Sequence, residues 1–435
     1  MSSSASSVAL SRRGFLSVAG GAAAASALAA CSDGGSPGGG GDTLKFWNMP
    51  WGGTAFGPLD REITEAYEPA DGLPAAAYQQ IQWANFTQTF SSAVASNTGP
   101  AVSSGGGTQA FLFESQGKIA YADDLLESWR SNGLYDDFLP GLIDTMKVEN
   151  GYAAVPYNLD MRVMWYNRTL LEQAGVEPPT DWQTYLDVSE ALKQIGVYGF
   201  GVGAGSGSFT GSHIMTSFMI NNGGGLFNAD QQPDCITDVN IEAMEFVLEM
   251  VSKGYVDPGT VSYTGDNADT QWKERKFGMG WDTAGLAANV GGDVGTELVV
   301  ASPLTGPHGD TGAIYFPNNI MMYTNTPSQE GSEAFLTYYF QNMKDLWTEH
   351  TGIGLPPLQS ITATPEFQSD PNQVTVINEW QPIAKTWAAP GTDALFLGVT
   401  DVDGTPAMDT FTQTILSGAA TATDALTTLQ QALEG

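Results

Sequence analysis

The chain has 435 residues and carries 16 Lys and Arg against 48 Asp and Glu, which gives a formal net charge of −32. This shortage of basic residues excludes nucleic-acid binding, which needs a basic surface to displace the counterions of phosphate, and electrostatic attachment to anionic lipid. With 42% hydrophobic and 11% aromatic residues, the chain can still bury a core. Its length exceeds what one core normally serves and predicts two domains.

Residues 1–30 predict an export signal. Arg12 and Arg13 form a twin arginine before an apolar, alanine-rich segment, residues 18–30, which is too short to span a membrane. The segment ends in small residues before Cys31, the pattern of a lipobox, in which the cysteine receives diacylglycerol and becomes the new amino terminus. Residues 31–42, rich in Gly and Ser, predict a flexible tether after this lipidated cysteine. We therefore expect a twin-arginine exported lipoprotein, anchored through Cys31 to the outer face of the cell membrane.

Strand and helix patterns alternate along the mature chain. In chain order, the predicted elements are a strand at 44–47, a helix that carries Phe86, Phe90 and Val94, strands at 152–155 and 163–166, a helix that a capping-box pattern opens at Thr180 and that runs to Ile195, a helix at 240–253, strands at 277–282, 298–301 and 319–323, and helices at 328–341 and 423–433. Such alternation predicts an α/β fold with mainly parallel sheets.

Tryptophans, rather than catalytic motifs, are the chemical signature of the chain. The three histidines are too scattered for a paired metal site, and we expect neither a metal nor a cofactor. Eleven tryptophans offer rings that cover the C–H face of a sugar, while Asp, Asn, Gln and Arg satisfy its hydroxyl groups. Trp51 and Trp281 are the first candidates because they follow or end predicted strands, where ligands of α/β folds lie.

Two motifs carry a family resemblance. Residues 151–168 have the form Gly-x4-Pro-Tyr followed by Tyr-Asn-Arg, and residues 174–182 place Ala-Gly before Pro-Pro-Thr-Asp-Trp. From about residue 43 to its end, the chain resembles the extracellular solute-binding proteins of carbohydrate ABC transporters, the maltose-binding-protein-like family. One residue fewer than in the family separates the Gly from the Pro.

The resemblance implies a two-lobed α/β fold of the periplasmic-binding-protein type, with hinge crossovers and a ligand cleft between the lobes. Residues 43–153 and 315–358 would form one lobe, and residues 154–314 and 359–435 the other. Closure around a carbohydrate ligand would present the protein to the permease subunits of an importer. The implied function is capture of a neutral sugar or short oligosaccharide by a monomer that catalyses nothing.

The resemblance also implies cleft residues. Asp160 falls where the family often places a carboxylate that binds sugar hydroxyls, and Arg162 lies two residues on, on the same strand face. Gln109 is the only long hydrogen-bonding side chain in the loop after Pro100. The residues expected to bind ligand are Trp51, Gln109, Asp160, Arg162, His213, Trp281, Asp282, Asn319, Trp380 and Trp387.

Two alternatives stay open at this point. A secreted carbohydrate-active enzyme would need two carboxylates that meet only in the folded chain, which no sequence motif excludes. The same fold could also bind a non-sugar polyol or a peptide.

Overall fold

The computed structural model of the protein describes residues 43–83, 86–206 and 208–435. The predicted signal, Cys31 and the tether lie outside the described residues. The strands are β1 (Leu44–Asn48), β2 (Ala76–Gln80), β3 (Val102–Gly105), β4 (Ile119–Ala120), β5 (Lys147–Val148), β6 (Gly151–Tyr152), β7 (Val155–Asn167), β8 (Met279–Thr283), β9 (Leu298–Val300), β10 (Ala313–Tyr323) and β11 (Ala384–Lys385).

The α-helices are α1 (Phe56–Glu65), α2 (Phe86–Ala95), α3 (Gln109–Ser115), α4 (Asp123–Asn132), α5 (Leu134–Asp137), α6 (Arg168–Ala174), α7 (Trp182–Gln194), α8 (Phe209–Asn221), α9 (Asp238–Ser252), α10 (Gly265–Lys273), α11 (Leu286–Val290), α12 (Gly292–Glu297), α13 (Gln329–Asn342), α14 (Asp345–Thr348), α15 (Gln359–Thr362), α16 (Pro365–Gln368), α17 (Pro371–Thr375), α18 (Pro406–Leu416) and α19 (Ala422–Glu434). Short 3-10 turns span Ile143–Met146, Pro258–Ser262, Gln381–Ile383 and Leu397–Asp401, and a π-turn spans Val376–Trp380.

The main sheet is built around the two long strands β7 and β10. Its path runs β2-β1-β3-β10-β7-β8, with β4 and β11 paired to β10 and β9 paired to β7. Strand–helix alternation does give parallel pairs between β1, β2 and β3. However, β10 runs antiparallel to β3 and β7, and β7 runs antiparallel to β8 and β9. The expectation of mainly parallel sheets is therefore wrong.

The strand β7 is one continuous element of 13 residues, not the two predicted strands. Polar residues at 158, 160 and 162 interrupt the apolar pattern that sequence reasoning follows. The backbone stays extended because β10 pairs with this stretch from Met161↔Tyr315 to Val155↔Ile320, with an irregularity at Asn318/Asn319. The strand β10 likewise begins six residues before the predicted start, at Ala313.

The two long strands each belong to two groups of strands. The first half of β7 pairs with β10 and its second half with β8 and β9, while β10 pairs with β11 at its start and with β3 and β4 at its end. Crossovers of a two-lobed fold need this kind of shared strand. The predicted boundary at 153/154 lies just before β7, and that at 314/315 lies inside β10. The lobe limits themselves stay predictions.

The predicted helices are confirmed, with one change at a cap. The N-cap of α7 is Asp181, whose side chain accepts from the Thr184 N–H while the Thr184 hydroxyl accepts from the Asp181 N–H. The capping box thus lies one residue later than the sequence pattern indicated. The indole of Trp182, at the start of this helix, stacks on Phe246 at a centroid distance of 4.4 Å and belongs to the core.

Candidate functional site

A chain of four polar side chains begins in the middle of β7. The Arg162 guanidinium donates from Nη1 to Asp160 Oδ1 at 2.6 Å and from Nε to His213 Nδ1 at 3.1 Å. His213 Nε2 lies 2.8 Å from Asp403 Oδ1. Because Nδ1 of His213 accepts a hydrogen bond, Nε2 carries the proton and donates to Asp403. Three residues predicted for the site, Asp160, Arg162 and His213, are thus in direct contact.

Burial separates the roles within this chain. Arg162 and His213 are almost fully buried, whereas the side chains of Asp160 and Asp403 are 34% and 35% exposed. Burial, and next the Arg162 cation, lower the pKa of His213, so that the imidazole is neutral at pH 7. Asp160 balances the Arg162 charge. The two carboxylates therefore keep partly exposed acceptor oxygens, and the buried side chains that hold them add no unpaired positive charge.

Aromatic rings form the wall next to this chain. Phe316 lies on β10 directly opposite Asp160, and the Arg162 guanidinium lies over its ring at 5.0 Å from the centroid. The predicted Trp387 meets Phe316 edge-to-face at 5.9 Å and His213 at 5.5 Å. A recess beside these rings encloses about 230 Å³, open solvent included, and is lined by Gly107, Thr108, Tyr315, Phe316, Pro317, Trp387, Leu395 and Asp403.

Trp51 forms a second aromatic group at the ends of β1 and β3. Its indole Nε1 donates to Asn48 Oδ1 at 3.1 Å and to Ser104 Oγ at 3.0 Å. Trp83, which is 42% exposed, meets Trp51 edge-to-face with a centroid distance of 4.9 Å, and Tyr157 meets it at 6.4 Å. Trp51 is thus half-buried, held at its nitrogen and flanked by rings on two sides.

The loop after β3 connects the two groups. Ser104, which accepts a hydrogen bond from Trp51, is the second-last residue of β3. Gly107, in the loop that follows, lines the recess. The predicted Asn319 donates from Nδ2 to the Gly107 carbonyl at 3.2 Å. The predicted Gln109 opens α3 and is buried. The amide oxygens of Gln109 and Asn319 are buried and have no hydrogen-bond partner among the described residues.

Trp281 and Trp380 lie elsewhere, in the core around β8. Both side chains are fully buried, and their rings pack edge-to-face at 5.3 Å. Trp281 also packs on Phe218 at 5.4 Å, and Trp380 Nε1 donates to the Ala301 carbonyl at 2.8 Å. The structure does not bring these two tryptophans into the recess, and their assignment to the ligand stays a prediction.

Asp282 follows Trp281 on β8 and points to the opposite face, because side chains alternate along a strand. It is 9% exposed and accepts from the Thr283 N–H at 2.7 Å. Burial raises the pKa of Asp282 to about 7, and the Asp269 carboxylate adds to this, while the Thr283 N–H and the Arg162 cation lower it. Asp282 therefore interacts electrostatically with Arg162 and Asp160.

The described residues form neither a metal site nor a membrane-spanning helix. Within residues 43–83, 86–206 and 208–435, no group of three or more His, Cys, Asp or Glu side chains is arranged to hold a metal ion. None of the helices in these ranges combines the length and the apolar character that crossing a bilayer requires. The chemistry of the recess is that of hydrogen bonding and aromatic contact.

Comparison with known proteins decides the family. The family model of bacterial extracellular solute-binding proteins matches residues 59–343. The chain belongs to this family. A sugar transporter from Arthrobacter chlorophenolicus A6, solved with bound laminaribiose, is 50% identical, with 90% of this chain and 99% of that one covered and a TM-score of 0.83. The predicted membership and the two-lobed α/β class are confirmed.

A more distant solved structure agrees in fold, and a more distant relative matches part of the sequence. The sugar-binding protein MalE from Xanthomonas citri is 19% identical, covers 90% of this chain and 96% of its own, and has a TM-score of 0.73. The diacetylchitobiose binding protein NgcE from Streptomyces coelicolor is 25% identical over 173 residues, which is 38% of this chain and 37% of that protein. The family and these neighbours are binding proteins rather than enzymes.

Sequence reasoning missed several side chains of the site. Trp83 lies three residues beyond Gln80 of β2, just as Trp51 lies three beyond Asn48 of β1, and Asn48 and Gln80 are paired. The rule that ligands lie beyond the carboxyl ends of strands would have found Trp83. Nothing local signals the contact of Asp403 with His213, 190 residues away.

The raised pKa of Asp282 makes stability depend on pH. The stabilisation that the neutral carboxyl keeps at low pH is lost as the pH rises through about 7. We expect Asp282→Asn to raise the free energy of unfolding of the sugar-free solute-binding protein, with a gain about 2 kcal/mol larger at pH 8 than at pH 5. Chemical denaturation at the two pH values measures this. Asp71→Asn, at an exposed loop carboxylate, is the control. An equal gain in the free energy of unfolding at both pH values would contradict the raised pKa of Asp282.

Proposed function

We propose that this solute-binding protein captures a neutral disaccharide of the laminaribiose kind for an ABC importer and releases it unchanged. The observation that carries the proposal is the laminaribiose bound to a protein that is 50% identical over nearly its whole length. The geometry supports it, since aromatic rings and hydrogen-bond acceptors line the recess, and the buried cation Arg162 is already paired with Asp160.

Each group of the site has a part in this binding. The rings of Trp51 and Trp83 would cover the C–H faces of sugar rings, and the buried Trp387 would form part of the recess wall. Asp160 would accept from a pair of hydroxyl groups. Gln109 and Asn319 are buried, so they would meet the ligand only if closure of the lobes exposed their amide oxygens. Arg162 and His213 would hold Asp160 and Asp403 in place rather than meet a charged ligand. Asp282, Trp281 and Trp380 would support the cleft from the side of β8.

The lipid anchor and the delivery step belong to the same proposal. After cleavage before Cys31, the mature chain has 14 Lys and Arg against 48 Asp and Glu, a net charge of −34, because only Arg12 and Arg13 leave with the signal. A monomer held by lipid on Cys31 at the outer face of the membrane would close its lobes on sugar through β7 and β10. The closed form would dock on the permease subunits.

Sugar binding should stabilise the fold. A ligand that binds only the native state adds RT ln(1 + [L]/Kd) to the free energy of unfolding. We expect laminaribiose to raise the melting temperature of the protein in thermal scans and to give a saturable signal in calorimetry, with maltose and cellobiose as matched disaccharides. Chromatography of the same mixtures should recover the sugar intact. No shift with any mono- or oligosaccharide would refute the sugar assignment, and hydrolysis would favour a carbohydrate-active enzyme.

Removal of either Trp51 or Trp83, the two tryptophans of the second aromatic group, should weaken sugar binding. An aromatic contact contributes on the order of 1 kcal/mol beyond its buried area, so Trp51→Ala and Trp83→Ala should each raise the Kd about tenfold with little change in melting temperature for Trp83→Ala, whose ring is exposed. Ile236→Ala, at an apolar side chain that is 41% exposed outside the site, is the control. Wild-type affinity in both tryptophan variants would show that the second aromatic group is not part of the sugar site.

The anchor has its own test. In a bacterial host with twin-arginine export and lipoprotein processing, the wild-type protein should partition into detergent and carry diacylglycerol on Cys31 by mass spectrometry. Cys31→Ser should be exported but stay in the aqueous phase, and a variant with both Arg12→Lys and Arg13→Lys should stay inside the cell. Aqueous partition of the wild-type protein would rule out the anchor.

A further inference from the structure

Asp60 is a carboxylate buried completely beneath Trp51. It lies on α1, and its relative exposure is 0%. Asn48 donates from Nδ2 to Asp60 Oδ2 at 2.7 Å, and the Tyr339 hydroxyl donates to Oδ1 at 2.5 Å. Burying a carboxylate is costly even when it is hydrogen-bonded. Only the Asn48 side chain separates Asp60 from the Trp51 indole, so the buried carboxylate is placed where it can act on the orientation of that ring.

The charge on Asp60 sets the direction of the Asn48 amide. Burial raises the pKa of Asp60 to about 6. The hydroxyls of Tyr339 and Tyr78, the Asn48 amide and the Arg61 cation lower it, so the group is mostly ionised at pH 7.5. An ionised carboxylate only accepts hydrogen bonds, so Asn48 must turn its NH2 group toward it. The amide oxygen of Asn48 then faces the other way, where it accepts from Trp51 Nε1 at 3.1 Å and from the Met49 N–H at 2.9 Å.

A second path leads from Asp60 to the same ring. Because the proton of the Tyr339 hydroxyl goes to Asp60, Tyr157 must donate to Tyr339 in their contact of 2.9 Å. The ring of Tyr157 in turn meets Trp51 edge-to-face. Asp60 thus acts on Trp51 at its nitrogen, through Asn48, and on its ring, through the two tyrosines.

We propose that Asp60 is a positioning residue of the sugar site, which holds the Trp51 indole in its binding orientation through the amide of Asn48. The proposal rests on the proposed sugar-binding function, in which Trp51 covers a sugar ring. Asp60 itself touches no ligand, because it is fully buried. A merely structural role would instead join α1 to α13 through Tyr339 and leave the orientation of Trp51 unaffected.

A swap of the two side chains tests this. Asp60→Asn leaves one oxygen for two donors, so its NH2 group faces either Asn48 or the Tyr339 hydroxyl. In the first case, relief by turning Asn48 would leave the indole N–H facing another donor. In the second case, the Tyr339 hydroxyl would turn its proton away from position 60, which disturbs its bond with Tyr157. In the double variant Asn48→Asp/Asp60→Asn, the new amide at position 60 donates to the new carboxylate at position 48, which again accepts from Trp51 and Met49. Tyr339 still finds an oxygen at position 60. The swap therefore restores the bond between positions 48 and 60 and the bonds to Trp51, Met49 and Tyr339, with the charge moved from position 60 to position 48. It loses only the two long contacts, 3.4 Å each, from the Asn48 amide to the hydroxyls of Tyr157 and Tyr339.

The first readout is affinity. We expect Asp60→Asn to raise the Kd for laminaribiose about tenfold, the effect of one lost hydrogen bond, and the double variant to recover binding to within about threefold of the wild type. Unchanged affinity in Asp60→Asn, or a folded double variant that binds as weakly as Asp60→Asn, would overturn the proposal.

The second readout needs neither sugar nor an altered Asp60. In ¹H–¹⁵N spectra, Trp51→Phe identifies the Trp51 indole N–H signal. In the wild type, we expect this signal to shift along the titration of the Asp60 carboxyl carbon. An indole signal that is constant across that titration would overturn the proposal. If the wild-type protein binds no sugar, the proposed function fails, and the indole signal still decides whether Asp60 positions Trp51.

Discussion

The pairing of β7 with β10 is the constraint on which the rest of the structure depends. Residues directly opposite in an antiparallel pair share one face, so the register that sets Asp160 against Phe316 places the carboxylate beside the ring over which Arg162 lies. The irregularity at Asn318/Asn319 adjusts β10 where it passes from β7 to β3. A shift of one residue would turn every one of these side chains to the other face. The register between β7 and β10 therefore determines which side chains can meet at the recess.

Shortage of basic residues gives Arg162 its significance. A buried cation is tolerated only when its charge and its donors are matched, and Arg162 meets a carboxylate, a neutral imidazole and an aromatic face. The pKa of His213, lowered by burial and by Arg162, keeps a second positive charge out of this cluster. What the cluster presents to the recess is acceptor oxygen and aromatic surface. Such a surface favours neutral polyols over anions, in agreement with the sugar-bound relative.

Sequence patterns predicted the local features and failed on the distant ones. The helices, the first strand and the shared face of Asp160 and Arg162 follow from spacing within a few residues, where helix and strand periods act. The continuity of β7 could not be predicted because its polar middle is satisfied by β10, about 150 residues away in the chain. Alternation along β8 could not say which of Trp281 and Asp282 faces the core. Asp403 meets His213 only through the tertiary fold, whereas Trp83 was within reach of the strand-end rule.

Both halves of the site use the same construction, an accessible group held by a buried polar one. Asp160 is held by Arg162, and Trp51 by Asn48 and Asp60. Rigid support of this kind reduces the entropy lost when a ligand binds, because the contacting groups are already ordered. It has a cost in stability, since burial raises the pKa of both Asp60 and Asp282, and each is therefore less favourable in the folded chain at neutral pH. A fold selected for stability alone would place apolar side chains at these positions; under the proposed function, the order that the two carboxylates give the site outweighs that loss.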